Sequence, residues 1–452
     1  MSRADRWIIV GGGASGLAAA FFLRQQGLES VIVERDSAPG GRMGTVTLGG
    51  RAIDCGGKNI GAKYRLFRQF VASLGTHPFE YFGLNSSQAI DGTVRTFEAR
   101  ARWRSLVELT RGVAASDLLR FAHLLWRVKA DTAAGYLGSP LSRRLAARFD
   151  DRPASHYFSP EFCRRVLRPM SVRMNGAEPD EIHLGNLGSN LRMILDTYEQ
   201  FAHGLAPVLR DVQQRYDIRL NTAAESLLLD RGRVRGVRVT DAQGTASDLH
   251  GAGVILATPA HTSAALVDGV RPGLAAQLRT IAYYPVTLIV AEYDRPVFTS
   301  EVRAFVFGDD EAVSNAGAYG IKDLNVVRYT FSGRTARRSM NPLDSDQLLR
   351  AGEAALARYV PVEAAWRRRS VARLFNPGLC AYAPHHGRLL DRVTSEVGTL
   401  PGLHLTGDYF QGASIEACFR AASACIARLA GTQEQAAPDG AGVLELHAQR
   451  EG

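Results

Sequence analysis

WIIVGGGASGLAAAFFLRQQGLESVIVERD, residues 7–36, decides the fold. Trp7 to Val10 is a short apolar run suited to a buried parallel strand. Gly11, Gly13 and Gly16 follow at the G-x-G-x-x-G spacing. Leu17 to Gln26 has helical character and ends at Gly27, a natural C-cap. Val31 to Val33 reads as a second strand, closed by Glu34. The first glycine allows the tight turn. The second admits backbone to a pyrophosphate, and the third lets helix and strand pack closely. The helix N-terminus faces the phosphates with its free N–H groups, and Ala14 and Ser15 are expected to bind the cofactor with the glycines. Glu34, 18 residues past Gly16 with Arg35 beside it, stands where a carboxylate accepts hydrogen bonds from an adenosine ribose. Strand, glycines, helix, strand and acid in that order predict a dinucleotide-binding α/β unit.

Two more glycine-dense segments follow. RDSAPGGRMGTV (35–46) sets Gly40, Gly41 and Gly44 around Arg42. That Arg either pairs with phosphate in bidentate fashion or lies solvated on a surface turn. IDCGGKNIG (53–61) sets Gly56, Gly57 and Gly61 around Lys58 and Asn59. Glycine at this density suggests backbone packed against a flat ligand.

Together GGGASGLAAAFFL, VIVERDSAPGGRM and IDCGG resemble the FAD-binding N-terminus of the flavin amine oxidase superfamily. That group includes monoamine and polyamine oxidases, protoporphyrinogen oxidases and phytoene-type desaturases. The resemblance implies FAD, with Glu34 on the ribose and Arg42 beside pyrophosphate and flavin. Residues 403–431, LHLTGDYFQGASIEACFRAASACIARLAG, are similar to the family's flavin clamp. By that likeness Asp408 meets the ribityl–pyrophosphate part, and the amides of Ala413, Ser414 and Ile415 face flavin N1 and O2. Ser423 departs from the pattern, where relatives often carry Gly. Mid-chain, residues 201–229 with VRGVRV and GVILATPAH resemble the returning segment, with backbone near Ala224 receiving the adenine end.

The expected fold is α/β. A discontinuous Rossmann-like FAD-binding domain (1–80, 205–265, 391–431), with a parallel sheet and β-meander, is joined by an α+β substrate domain (81–204, 266–390). A mobile tail is expected over 432–452.

Composition narrows the function. The 452 residues are 46% hydrophobic and 22% charged, so the chain can bury a core and is not a disordered one. A net charge of +9 fits nucleic acid, an anionic membrane surface or acidic ligands. Without zinc-finger spacing or a compact Lys/Arg run, nucleic acid is not expected; a small-molecule substrate is. Only four lysines occur, among them Lys58. Five cysteines without C-x-x-C suit a reducing cytoplasm. With the first strand starting at Trp7, no signal or transit peptide is expected. In SDLLRFAHLLWRVKA, Leu118, Leu119, Phe121, Leu124, Leu125 and Val128 form a helical apolar stripe. It reads first as a helix packed on its neighbours, and second as peripheral contact with a membrane surface.

The chemistry would be flavin's, with the protein orienting it. In many amine-oxidase relatives a Lys bonds through water to the flavin. The matching stretch, IAYYPVTLIVAEYDRPVF (281–298), has Val286, Thr287 and Leu288 there and no Lys. This favours desaturase and protoporphyrinogen-oxidase chemistry over peroxide-forming amine oxidation, with a redox-neutral isomerase as a further alternative. Lys58 is expected to hold a substrate carboxylate, stabilise anionic flavin or act as a base, or else to reach solvent or a cofactor phosphate. Asn59 shares these roles. In FNPGLCAYAPHHG (375–387), Tyr382 is expected to line the pocket, and His385 and His386 to lie on a loop without metal spacing. Cys380 reads as a small buried hydrophobe, or as a covalent flavin attachment by analogy with monoamine oxidases.

Overall fold

Four consecutive apolar residues, Trp7–Val10, form a strand that is buried throughout. Such a strand needs cover on both faces, which a parallel α/β sheet provides. The computed structural model describes residues 6–82, 86–90, 93–97, 101, 104, 105, 107, 110, 112–340 and 344–436. Its parallel sheet runs in the order Ile218–Arg219, Ser30–Val33, Trp7–Val10, Gly253–Leu256, Leu403–Leu405. Helices Ala14–Gln25 and Ile415–Ala436 cover one face. An antiparallel meander (Ala223–Asp230, Arg233–Thr240, Ala246–His250) and helices Ala260–Val267, Pro272–Arg279 and His386–Gly398 cover the other. This is the expected α/β class, with strands from three separated parts of the chain.

A seven-stranded sheet forms the second body. Its order is Arg367–Cys380, Tyr283–Tyr293, Val326–Phe331, Val313–Ala318, Ala304–Val306, Ser86–Ile90, Thr93–Phe97. Side chains alternate across it. Ile289, Ala291, Tyr293, Val327, Tyr329 and Phe331 pack on helix Ser345–Ala357. The opposite parity, including Val286, Leu288, Val290 and Arg328, faces the glycine-rich segments.

Several expectations shift in detail. The first helix begins at Ala14, ahead of the apolar run, because Gly13 already serves as its N-cap. In helix Ala115–Ala130, Phe121, Leu125 and Val128 turn inward, while Leu119 and Trp126 are 73% and 62% exposed. The apolar stripe therefore splits between two faces. Among the described residues, no helix is long and apolar enough to cross a membrane. The last helix continues to Ala436, into the segment expected as a tail; residues 437–452 lie outside the described residues.

One buried carboxylate ties the last helix to an early one. Helix Arg65–Leu74 has no side-chain cap from Tyr64. Glu416, fully buried, instead accepts hydrogen bonds from the N–H groups of Leu66 at 3.1 Å and Phe67 at 3.0 Å. A negative charge at a helix start also meets the positive end of its dipole. Phe419 on the same helix packs 5.4 Å from Phe67 and 5.2 Å from Phe70, ring to ring. Replacing Glu416 by Leu leaves the N–H groups of Leu66 and Phe67, and the Arg420 guanidinium 3.5 Å away, without this partner. The expected cost is roughly 2–4 kcal/mol of stability, read as a lowered midpoint in thermal or urea denaturation. An unchanged midpoint would show that the cap is dispensable.

Candidate active site

The site is assembled from backbone before any side chain enters. Gly11 has φ +101°, a value L side chains rarely adopt. A Cβ on Gly16 would lie 1.8 Å from the Gly11 carbonyl oxygen, so the helix reaches the turn only as glycine. The second glycine segment docks on the first: Gly40 N–H donates to Gly12 O at 2.9 Å. The third docks on the second: Gly57 N–H donates to Arg42 O at 3.0 Å and Cys55 N–H to Gly44 O at 3.2 Å. Around a Cβ placed on Gly13 there is open space within 4 Å, and on Gly57 only Ile415 Cδ1 at 3.8 Å. Gly13, Gly41, Gly57, Ala413 and Ser414 thus edge one accessible cradle, with buried neighbours behind them.

Two helices start at this cradle. Ala14–Gln25 has no side-chain cap and no acid in its first turn, so the amides of Ala14, Ser15 and Gly16 present uncompensated positive dipole. Ile415–Ala436 starts opposite, where the Ser414 hydroxyl accepts from Ala417 N–H at 3.1 Å.

Glu34 sits at the end of the second strand, as its position in sequence predicts. Its Oε2 accepts from Gly12 N–H at 2.6 Å and its Oε1 from Asp36 N–H at 2.9 Å. Burial raises its pKa, and these two amides counter the rise. Each oxygen keeps a lone pair for a ribose hydroxyl. Arg35 points outward, its side chain 70% exposed. Ala224 lies just beyond Thr222, whose N–H donates to Glu34 O at 2.9 Å.

Arg42 lies beneath the cradle. Its Nη1 donates to Asp408 Oδ2 at 2.7 Å and to Gly378 O at 2.8 Å. Tyr283, which sequence reasoning passed over, donates its hydroxyl to Asp408 Oδ1 at 2.7 Å. Burial works against the Arg42 charge, but Asp408 outweighs it and raises the pKa. Nothing local in YYPV marks Tyr283, because its partner lies 125 positions away.

Lys58 is buried, which removes the expectation that it reaches solvent. Its Nζ donates to Gln200 Oε1 at 3.2 Å and to the Tyr319 carbonyl. It stands 4.3 Å from the ring centres of both Phe82 and Tyr319. Burial, then the charge of Arg328, brings its pKa down to about 7, against the pull of Asp54 and Asp323. Asp54 is held by Leu205 N–H at 3.0 Å. The neighbouring Asn59 has a buried Oδ1 with no hydrogen-bond partner.

Tyr382 corrects an expectation. It is fully buried at φ +54°, and its hydroxyl donates to the Asp408 carbonyl at 2.8 Å. It supports the carboxylate from behind and lines no substrate space. His386 is likewise buried, starting a helix with Nε2 2.8 Å from Tyr409 O. Burial drives its pKa down to about 4, leaving it neutral. Cys380 lies in the core, with its thiol pKa pushed well up by burial, the state of a buried hydrophobe. A cavity lined by Tyr64, Met174, Arg192, Tyr198, Gln411 and Ser414 opens beside the second helix start. Arg173 has Tyr198 of this lining and Arg328 as charged or titratable neighbours; sequence reasoning singled out neither arginine.

A model of the flavin containing amine oxidoreductase family matches residues 14–427. The phytoene desaturase (neurosporene-forming) of Rhodobacter capsulatus is 26% identical over 270 residues, covering 52% of this chain and 50% of that protein. The match thus spans half the length of that relative. Among solved structures, cyclohexylamine oxidase from Brevibacterium oxydans superposes with a TM-score of 0.69 at 19% identity, over 95% of this chain and 100% of the other. A CLA-producing fatty acid isomerase from P. acnes gives 0.70 at 12% identity, over 95% and 99%. These likenesses share one fold across different named activities. The family match encloses nearly the whole cradle, from the first helix start to the last helix, and the chain belongs to the flavin-containing amine oxidoreductases.

Proposed function

We propose that the protein is an FAD-dependent oxidoreductase that removes hydride from a C–H beside nitrogen or a double bond. Its product would be an imine, a new double bond or an aromatised ring, on a specialised-metabolite or tetrapyrrole-like substrate. The observation that carries this is the cradle itself: three glycine segments joined backbone to backbone, with room over Gly13 and Gly57 and with Glu34 at one end. FAD, with a ribose at one end and a ring system at the other, matches a cradle that has Glu34 at one end and the start of helix Ile415–Ala436 at the other.

When bound, the flavin supplies the two-electron acceptor chemistry. Glu34 would accept from the ribose hydroxyls. The amides of Ala14 to Gly16, with Arg42, would face the pyrophosphate. The amides of Ala413 to Ile415 would stabilise negative charge at the ring edge. Thr287, with Val286 and Leu288 packed against Cys55, gives the neighbouring strand no amine. Lys58 is then the nearby group able to hold or release a proton near neutral pH. Above about pH 7 its Nζ is largely neutral and accepts a proton; below, it is charged.

Three outcomes test this reading. Flavin released by denaturation should run as FAD on chromatography; a mononucleotide would overturn the assignment. Glu34→Ala should weaken FAD retention roughly tenfold, read as flavin per protein after dialysis, and full retention would remove the ribose role. Anaerobic mixing with amines, dihydroaromatic rings and polyenes should bleach the flavin band for at least one class. If none bleaches while FAD stays bound, the oxidoreductase reading fails.

Lys58 carries a signed pH dependence. Bleaching should quicken as pH rises through about 7, and Lys58→Met should flatten the profile. The folded-state pKa lies below the ordinary 10.5, so the unfolded chain holds the extra proton between these values. Stability should therefore climb from about pH 7 to about 10.5, and the climb should shrink in Lys58→Met. An unchanged rate profile in the variant would remove Lys58 as the base.

A further inference from the structure

Two arginines near the cradle have no counter-ion. Among the described residues, neither the Arg173 nor the Arg328 side chain makes a hydrogen bond or an ion pair. Most arginines of this chain do: Arg168 meets Glu178 at 2.8 Å, Arg334 meets Asp180 at 2.8 Å, and Arg51 meets Asp323 at 2.7 Å. Other described arginines also lack such partners, the exposed Arg65, Arg144 and Arg210 among them; Arg173 and Arg328 differ from these in lying half-buried beside the glycine-rich segments.

The topology explains why both side chains face one space. Arg328 pairs in register with Val290 and Gly317, on the sheet face turned away from the helix-covered core. That face meets the segment Asp54–Lys58, and Arg328 is within electrostatic reach of Asp54, Cys55, Tyr319 and Lys58. Arg173 comes from helix Arg168–Asn175, with Tyr198 and Arg328 as its charged or titratable neighbours. Met174 beside it, and Tyr198, line a cavity with Gln411, Ser414 and Asp196, whose carboxylate is paired with Arg192 at 3.9 Å. Burial disfavours both guanidinium charges, and the charge of Arg328 further disfavours that of Arg173.

Charge counting sharpens the picture. Arg173 and Arg328 are permanent cations. Asp54 is the one carboxylate coupled to either. One positive charge remains uncompensated when Lys58 is neutral. A single carboxylate closes that balance, and a guanidinium fork matches its planar oxygens.

We propose that Arg173 and Arg328 form the anion-binding end of the substrate site, and that the substrate carries a carboxylate seated between them. This rests on the oxidoreductase reading and adds the substrate's chemical class. It also assigns the orientation: the carboxylate lies at the arginines, and the reacting C–H lies towards Gly57.

The test uses the flavin-loaded protein and two matched pairs of probes, phenylacetate with phenylacetamide and octanoate with octanamide. Binding is read from the perturbed flavin absorption band and from thermal midpoint, without turnover. At least one carboxylate should bind about tenfold or more tightly than its amide. Arg173→Met and Arg328→Met should each weaken that binding by about tenfold or more, and Arg328→Lys should recover part of it. The ligand-free Met variants should melt higher than the parent, because an unpaired, half-buried charge is replaced by an apolar side chain of similar size. A purely structural arginine would melt lower when replaced. Equal binding of acids and amides, no binding of either acid, or unaltered affinity in the variants would overturn the proposal. Loss of the oxidoreductase reading shows separately, as FAD that no substrate bleaches while acids still bind at the arginines.

Discussion

Arg42 and Asp408 meet at 2.7 Å across 366 positions of sequence, and the site is built around that contact. An ion pair so placed is stable only if its remaining lone pairs and protons are satisfied. Part of this is supplied within the chain: Gly378 accepts from the arginine's Nη1, Tyr283 donates to one carboxylate oxygen, and Tyr382 fixes the backbone behind it. Five partners from four separated segments therefore share one geometry. The second glycine turn, the last parallel strand and the flanking sheet are held in register by it. Removing either charge leaves the other buried and unpaired, which is why such a pair fixes position more than it adds stability.

Much of the fold was legible in the sequence because its signals are local. The spacing of Gly11, Gly13 and Gly16 is read within six residues, and Glu34 falls where a strand of that length must end. The site was legible only as far as backbone makes it. Arg42 and Lys58 stood out through their glycine neighbours. The surroundings of Lys58 did not, since Phe82, Gln200 and Tyr319 arrive from three distant segments. Tyr382 misled because its left-handed backbone turns the ring into the core, a conformation that composition does not betray. Arg328 was silent for the opposite reason. In VVRYTF it alternates as any polar strand residue does, and its face is known only once the sheet is paired.

The interior is electrostatically uneven. On the cofactor side, carboxylates are spent on backbone amides: Glu34 on Gly12, Asp54 on Leu205, Glu416 on Leu66 and Phe67. On the sheet side, neither Arg173 nor Arg328 is paired with an acid. A reacting group placed between the two would experience a directed field, whose sign favours negative charge toward Arg173 and Arg328. Fixed dipoles and charges of this kind need no rearrangement during reaction.

The Glu416 cap has a consequence for how the chain is made. Phe67 and Phe70 are covered by Phe419, and the amides they follow are closed by Glu416. During synthesis these groups are complete some 350 residues before their partners, as the separation of Phe67 from Glu416 shows. The first glycine helix waits in the same way for helix Ile415–Ala436. The early half of the cofactor unit therefore emerges from the ribosome with an aromatic face uncovered. Contacts of such high sequence separation form slowly and expose apolar surface meanwhile. Yield in a cell should accordingly depend on holding chaperones, and on translation rate through the last helix, more than on the stability of the finished fold.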